Sequence, residues 1–231
     1  MSAVRTATYN ELCGKHVVEC GHPFVMVYLF DSTILCGVSH TVESLEEMLI
    51  GPYNDRFLVR EPVAQQLQKV NKMIKFWIKN TVLYVSCGYR SPEQQRRTYL
   101  DNYLDAHLGT DASSQNKYPR NVTFPDVAGH PTGGAVDVTL FDTEARAFLD
   151  MGCKIGDFSK NNADSFSKNL TVAQMQNRAV LHHCMTEFGF CPFSEKWWHY
   201  SIGDREWAVR FGINHSIYSQ VPSCDLLRIG R

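Results

Sequence analysis

Two short segments carry the residue types from which a hydrolytic metal centre is built. The first, GHPTGGAVDVTL (129–140), places His130 before a proline and a pair of glycines, with Asp137 inside the apolar run that follows. Glycines at 133 and 134 let the backbone fold tightly, so a loop histidine can return over the start of the next strand. Asp137 stands between Val136 and Val138, where a carboxylate needs a partner to offset its desolvation. The second segment, FSEKWWHYSI (193–202), puts His199 behind two tryptophans, with Glu195 and Lys196 just ahead of them. His130, Asp137 and His199 would supply three protein ligands and leave a fourth position for water, the layout of a catalytic zinc site. Two histidines and one carboxylate also suit nonhaem iron. Taken singly, Asp137 reads equally as a buried aspartate capping a loop, and His199 as a core histidine packed among aromatics. The two segments together favour the metal. His107 and His215 read as surface residues, while His182 and His183 are adjacent on a helix and point to different faces.

The elements that must hold these residues are a mixture of strands and helices. Residues 1–50 read as β-rich, with apolar runs at HVVEC, FVMVYLF and TILCGV broken by Gly, Pro and Asp. EPVAQQLQKVNKMIKFWIKN (61–80) reads as a helix, with Pro62 suited to its first turn and Val63, Leu67, Val70, Ile74 and Trp77 on one face. LYVSCGY is a strand, and a second helix opens at SPEQQ, where Ser91 and Gln94 fit a capping box. The segment from Gly109 to Gly129 is polar and turn-rich, a surface excursion. GAVDVTLF is a strand by its β-branched content. TVAQMQNRAVLHHCMTEFGF is a third helix, capped by Thr171 and stopped at Gly189. Without a strict βαβ rhythm, the expectation is one α+β domain over 1–231, with a central, mainly antiparallel sheet flanked by helices.

Composition narrows the function classes. A formal net charge of -1 over 231 residues, with no long block of one sign, gives no case for nucleic acid or a membrane surface. The early apolar stretch PFVMVYLF is too short to span a bilayer, and the residues around Met1 lack a signal-peptide layout. Eight cysteines form no C-x-x-C unit and read as reduced thiols of a cytoplasmic protein. Cys87, Cys153 and Cys184 are expected as small buried hydrophobes, and a cysteine zinc site is not expected.

Four blocks in order resemble the zinc-dependent D-alanyl-D-alanine dipeptidases of vancomycin resistance and their relatives. LIGPYNDRFLVREPVAQQL is similar to the family's entry to its first helix, and SCGYRSPEQQ to its DGYRP block. GHPTGGAVDVTLF matches H-x-x-G-x-A-x-D, and AQMQNRAVLHHCMTEFGFCPFSEKWWHYSI resembles the helix and terminal E-W-W-H segment. The resemblance implies a dipeptidase-like core over 51–205, with 1–50 divergent and 206–231 a C-terminal extension. It implies one Zn2+ per chain on His130, Asp137 and His199, and Arg90 steadying the scissile carbonyl as it becomes an oxyanion, a task suited to a permanently charged guanidinium. It places Asp157, with one extra residue after Met151, and Trp197 at the substrate. The implied function is zinc-dependent hydrolysis of a D-Ala-D-Ala-like dipeptide or related small amide, with no nucleic-acid or membrane partner; the oligomeric state stays open.

The chain departs from the family at its general base. Lys196 stands where the family has glutamate, and a lysine near ~10.4 is protonated at neutral pH unless burial and a nearby cation favour its neutral form. Glu195 is the other candidate, but in extended backbone it lies ~13 Å from His199, so a bulge would have to re-aim it. Ala128 replaces a serine two residues before the first histidine. The alternative reading is therefore a catalytically silent or repurposed zinc-binding relative.

Overall fold

The structure is a computed structural model and describes residues 7–38, 54–108, 123–158 and 163–226. Its first part contains α1 (Tyr9–Cys13), β1 (His16–Val17), β2 (Phe24–Met26), α2 (Val27–Phe30) and β3 (Leu35–Cys36). Then come β4 (Leu58–Arg60), α3 (Glu61–Trp77), β5 (Thr81–Cys87), α4 (Pro92–Leu108), β6 (Ala135–Asp142) and β7 (Ala147–Phe148). The last part holds α5 (Val172–Glu187), β8 (Cys191–Phe193), β9 (Lys196–Ser201), α6 (Arg205–Arg210) and β10 (His215–Ser216).

A mixed sheet in the order β3-β5-β6-β9-β8 forms the centre, with β7 paired to the far end of β6. Only the β3–β5 pairing is parallel; β5–β6, β6–β9, β6–β7 and β8–β9 are antiparallel. Every residue of β5 is buried, so both faces of the sheet are covered. Leu83 and Val85 of β5 and Val136, Val138 and Leu140 of β6 join one core. Val63, Leu67, Val70 and Ile74 of α3 and Leu181, Cys184 and Met185 of α5 close it from above. This is the α+β arrangement expected from the alternation of patterns, and the helix starts follow the capping rules. Thr171 and Gln174 exchange side-chain and backbone hydrogen bonds at α5, and Ser91 and Gln94 do the same at α4. Among the described residues, no helix is long and apolar enough to cross a membrane.

The amino-terminal part departs from the β-rich expectation. The three apolar runs do supply β1, β2 and β3, but FVMVYLF turns into α2 after Met26. Val27 and Tyr28 are both buried while Leu29 is 71 % exposed. Two neighbouring inward residues fit a helical turn, whereas a strand would send them to opposite faces. Tertiary packing outweighs the β propensity of the run here. Residues 39–53, most of the 109–129 excursion and the 227–231 end lie outside the described residues.

Arg60 ties this periphery to the loop that carries His130. It is fully buried, with its guanidinium against the rings of Phe24 (4.6 Å) and Tyr218 (5.0 Å). Its Nε donates to Thr132 O at 2.8 Å, Nη1 to His22 O at 2.7 Å, and an ion pair reaches Glu19 at 3.1 Å. Its backbone N–H donates to Gly133 O at 2.9 Å. A buried guanidinium is tolerated because its donors are satisfied. Arg60→Met keeps the side-chain length and removes the donors. It is expected to lower the unfolding free energy by about 3 kcal/mol, read as a fall in the urea midpoint at constant m-value.

Candidate metal centre

The site lies on the sheet face opposite the main core, at the end where β6 begins. In the antiparallel ladder Asp137 pairs with Cys87 of β5 on one side and with His199 of β9 on the other. Directly opposed residues project from the same face, so three chemically active side chains stand in a row across three strands. Cys87 owes its place to a register shift between Val85 and Cys87. Without it, strict alternation would put Cys87 beside Leu83 and Val85 in the core; the extra residue, Ser86, turns it to the Asp137 face.

His130 is presented on a single 3-10 turn, His130–Thr132. Gly133 closes that turn in the left-handed region, at φ 71°, where a glycine bears no steric penalty. The Thr132 hydroxyl donates to Gly129 O at 2.6 Å. His130 Nδ1 lies 2.6 Å from Gly88 O, and since a carbonyl only accepts, Nδ1 carries the proton. Its Nε2 is left facing Asp137 Oδ2 at 3.3 Å. Asp137 Oδ1 meets His199 Nδ1 at 3.0 Å, and the two imidazole rings stand edge to face, 4.8 Å between centroids. A nitrogen lone pair and a carboxylate oxygen this close need a cation between them, either a proton or a metal ion. The donor set therefore fits a metal.

The electrostatics agree. Burial alone would raise the Asp137 carboxyl, but His130 and His199 outweigh it and hold the group well below the usual carboxylate range. Burial alone would lower His130; Asp137 and Cys87 instead raise it to about 9, so without a metal a proton fills the gap. Burial pushes His199 down to about 4, leaving it neutral. Arg90 reaches the same row: its Nη2 is 3.9 Å from Asp137 Oδ2 and 3.6 Å from Cys87 Sγ, and Nη1 donates to Gln95 Oε1 at 3.1 Å.

These groups line a cavity of about 250 Å³. Arg90, His130, Asp137, His199 and Lys196 all face it; Glu195, Asp157 and Trp197 are not among its lining residues. Ser194 and Glu195 form the turn between β8 and β9, and the irregularity in that pairing comes after Lys196 rather than before it. Between the pairs Phe193–Lys196 and Pro192–Tyr200, the residues Trp197, Trp198 and His199 have no opposite number on β8. Trp197 turns into the core, where its Nε1 lies 3.3 Å from Cys153 Sγ, and Trp198 faces the cavity instead. Around Asp157, it is Ile155, Gly156 and Phe158 that line the cavity. Cys87, expected as an inert core thiol, instead forms a possible metal-holding group with His130 and Asp137, their donor atoms within 4.8 Å of one another. Its position in SCGYRS, just ahead of Arg90, was the available signal.

The family described as D-ala-D-ala dipeptidase matches residues 45–219 of this chain. A D-alanyl-D-alanine dipeptidase of Synechocystis sp. is 30 % identical over 103 residues, 40 % of this chain and 41 % of that protein. One from Enterococcus faecium is 30 % identical over 77 residues, 33 % of this chain and 38 % of that protein. The chain thus spans about two fifths of the length of the curated relatives it matches. A solved structure of the vancomycin-resistance D,D-pentapeptidase VanY in complex with Zn(II) is similar with a TM-score of 0.41 and 16 % identity, over 74 % of this chain and 84 % of that one.

The approach of the His130 turn generates a local test. A Cβ on Gly129 would collide with the Asp204 carboxylate and sit 3.0 Å from Ala135 Cβ. Gly129→Ala is expected to cost about 1–3 kcal/mol in thermal or urea unfolding. An unchanged midpoint would show that Asp204, which caps α6, moves aside freely.

Proposed function

The chain belongs to the D-ala-D-ala dipeptidase family, and from that premise we propose that it is a zinc-dependent hydrolase of a dipeptide or related small amide. The observation that carries this reading is the convergence of His130 and His199 on opposite oxygens of the buried Asp137 carboxylate, at 3.3 and 3.0 Å, on the wall of a cavity. His130, Asp137 and His199 would hold the ion. When bound, zinc supplies Lewis acidity and a water of lowered pKa.

The chain's own residues supply the rest. Arg90, oriented by Gln95 and close to Asp137, presents its guanidinium to the carbonyl oxygen that gains charge during attack. Lys196 is the group at the cavity in the general-base position. Burial pushes its ammonium down to about 8, so a neutral fraction exists near neutral pH and can take a proton. All eight cysteines are thiols rather than disulfides, which supports a reducing, cytoplasmic place of action.

Lys196 also favours a second reading, a silent relative that keeps the metal without turnover. Comparing dipeptide hydrolysis by the wild type, Lys196→Glu and Glu195→Gln separates the two. Activity in the wild type that disappears with chelator and survives Glu195→Gln supports a lysine base. Activity confined to Lys196→Glu means a silent natural site, and a zinc-loaded chain inert on a broad dipeptide panel rejects the hydrolase. With Lys196 as base, the rate should rise with pH through about 8 or below, because only the neutral amine accepts a proton.

Zinc should also raise the melting temperature of the metal-free chain, since a ligand of the native state alone stabilises it. His130→Ala and His199→Ala should each abolish that rise, and retention of the full rise in both would remove them from the ligand set.

A further inference from the structure

Cys87 is a buried thiol that the hydrolytic reading leaves without a role. Its placement is specific: the Ser86 register shift turns it from the core face to the Asp137 face, directly across the ladder. Its donor atom lies within 4.8 Å of those of His130 and Asp137, and Arg90 Nη2 stands 3.6 Å from Sγ. Cys87 is 3 % exposed, yet it lines the cavity. Donors this near one another can be drawn onto one ion by small side-chain movements, and thiolate is among the preferred ligands of zinc.

The geometry points to Cys87 as a ligand of the metal ion in this chain, binding through its thiolate beside His130 and Asp137. The inference rests on the metal-binding reading above and goes beyond its histidine–carboxylate ligand set. On binding, the thiol proton leaves to solvent as sulfur takes its place on the ion, and no electron is transferred. The three donors that lie mutually close are those of Cys87, His130 and Asp137, while His199 meets the other oxygen of the same carboxylate.

X-ray absorption at the zinc edge of the loaded wild-type chain tests this directly. The expected spectrum has one sulfur scatterer at about 2.3 Å alongside nitrogen and oxygen at about 2.0–2.2 Å. A shell of nitrogen and oxygen alone overturns the role of Cys87 and leaves the metal reading standing, whereas a chain that retains no zinc overturns both. Cobalt substitution adds an independent readout. The wild type should show near-ultraviolet thiolate-to-cobalt charge transfer, and Cys87→Ser should lose that band and bind at least about tenfold more weakly. A band that persists in Cys87→Ser assigns the sulfur to another cysteine and overturns the proposal. Should the variant fail to fold, as its circular dichroism would show, the wild-type absorption spectrum decides alone.

Discussion

A carboxylate ionised inside a sheet costs several kcal/mol unless charges and donors surround it. Asp137 is that carboxylate, and the architecture around it can be understood as the means of satisfying it. His199 reaches it along β9, His130 descends on a glycine-closed turn, and Arg90 approaches from the segment after β5. Each arrives from a different part of the chain, so the charge is stabilised only in the assembled fold. The same convergence creates a place where a cation is favourable, which is why stability and chemistry coincide at this residue. The supporting contacts follow the same logic: Gly88 O fixes the His130 tautomer, and Gln95 holds Arg90.

Lys196 contributes to the electrical character of the cavity. Among the described lining residues, Arg56, Arg90 and Lys196 are basic and Asp137 is the sole carboxylate. With Asp137 engaged by two histidines, the remaining field on these walls is positive and attracts anions.

Most of this was legible in the sequence wherever local pattern and tertiary outcome agree. The periodicity of α3, the capping boxes of α4 and α5, and the β-branched run of β6 all fold as their local chemistry dictates. The pairing of His130 with Asp137 was legible because the glycines between them permit a single return of the chain. What escaped was set by register. Cys87 alternates with Leu83 and Val85 on paper, and one extra residue in the ladder reverses its face. Likewise, whether Glu195 or Lys196 enters the cavity depends on where the β8–β9 hairpin turns, and so does whether Trp197 or Trp198 lines it. A shift of one residue leaves no trace in composition or periodicity, because both are blind to the partner strand.

The buried Arg60 staple also ties distant parts of the chain to the cavity. Its partners include Glu19 and Tyr218, and Glu19 itself accepts from the Ser219 backbone, a contact 200 residues apart along the chain. β1 and β10 close the same circuit as a parallel pair. Contacts of such separation carry a large loop-closure cost. The turn bearing His130 is anchored to that circuit through Thr132 and Gly133. The position of the His130 ring therefore depends on contacts between distant parts of the chain, and a cut in the chain far from the cavity would be felt there.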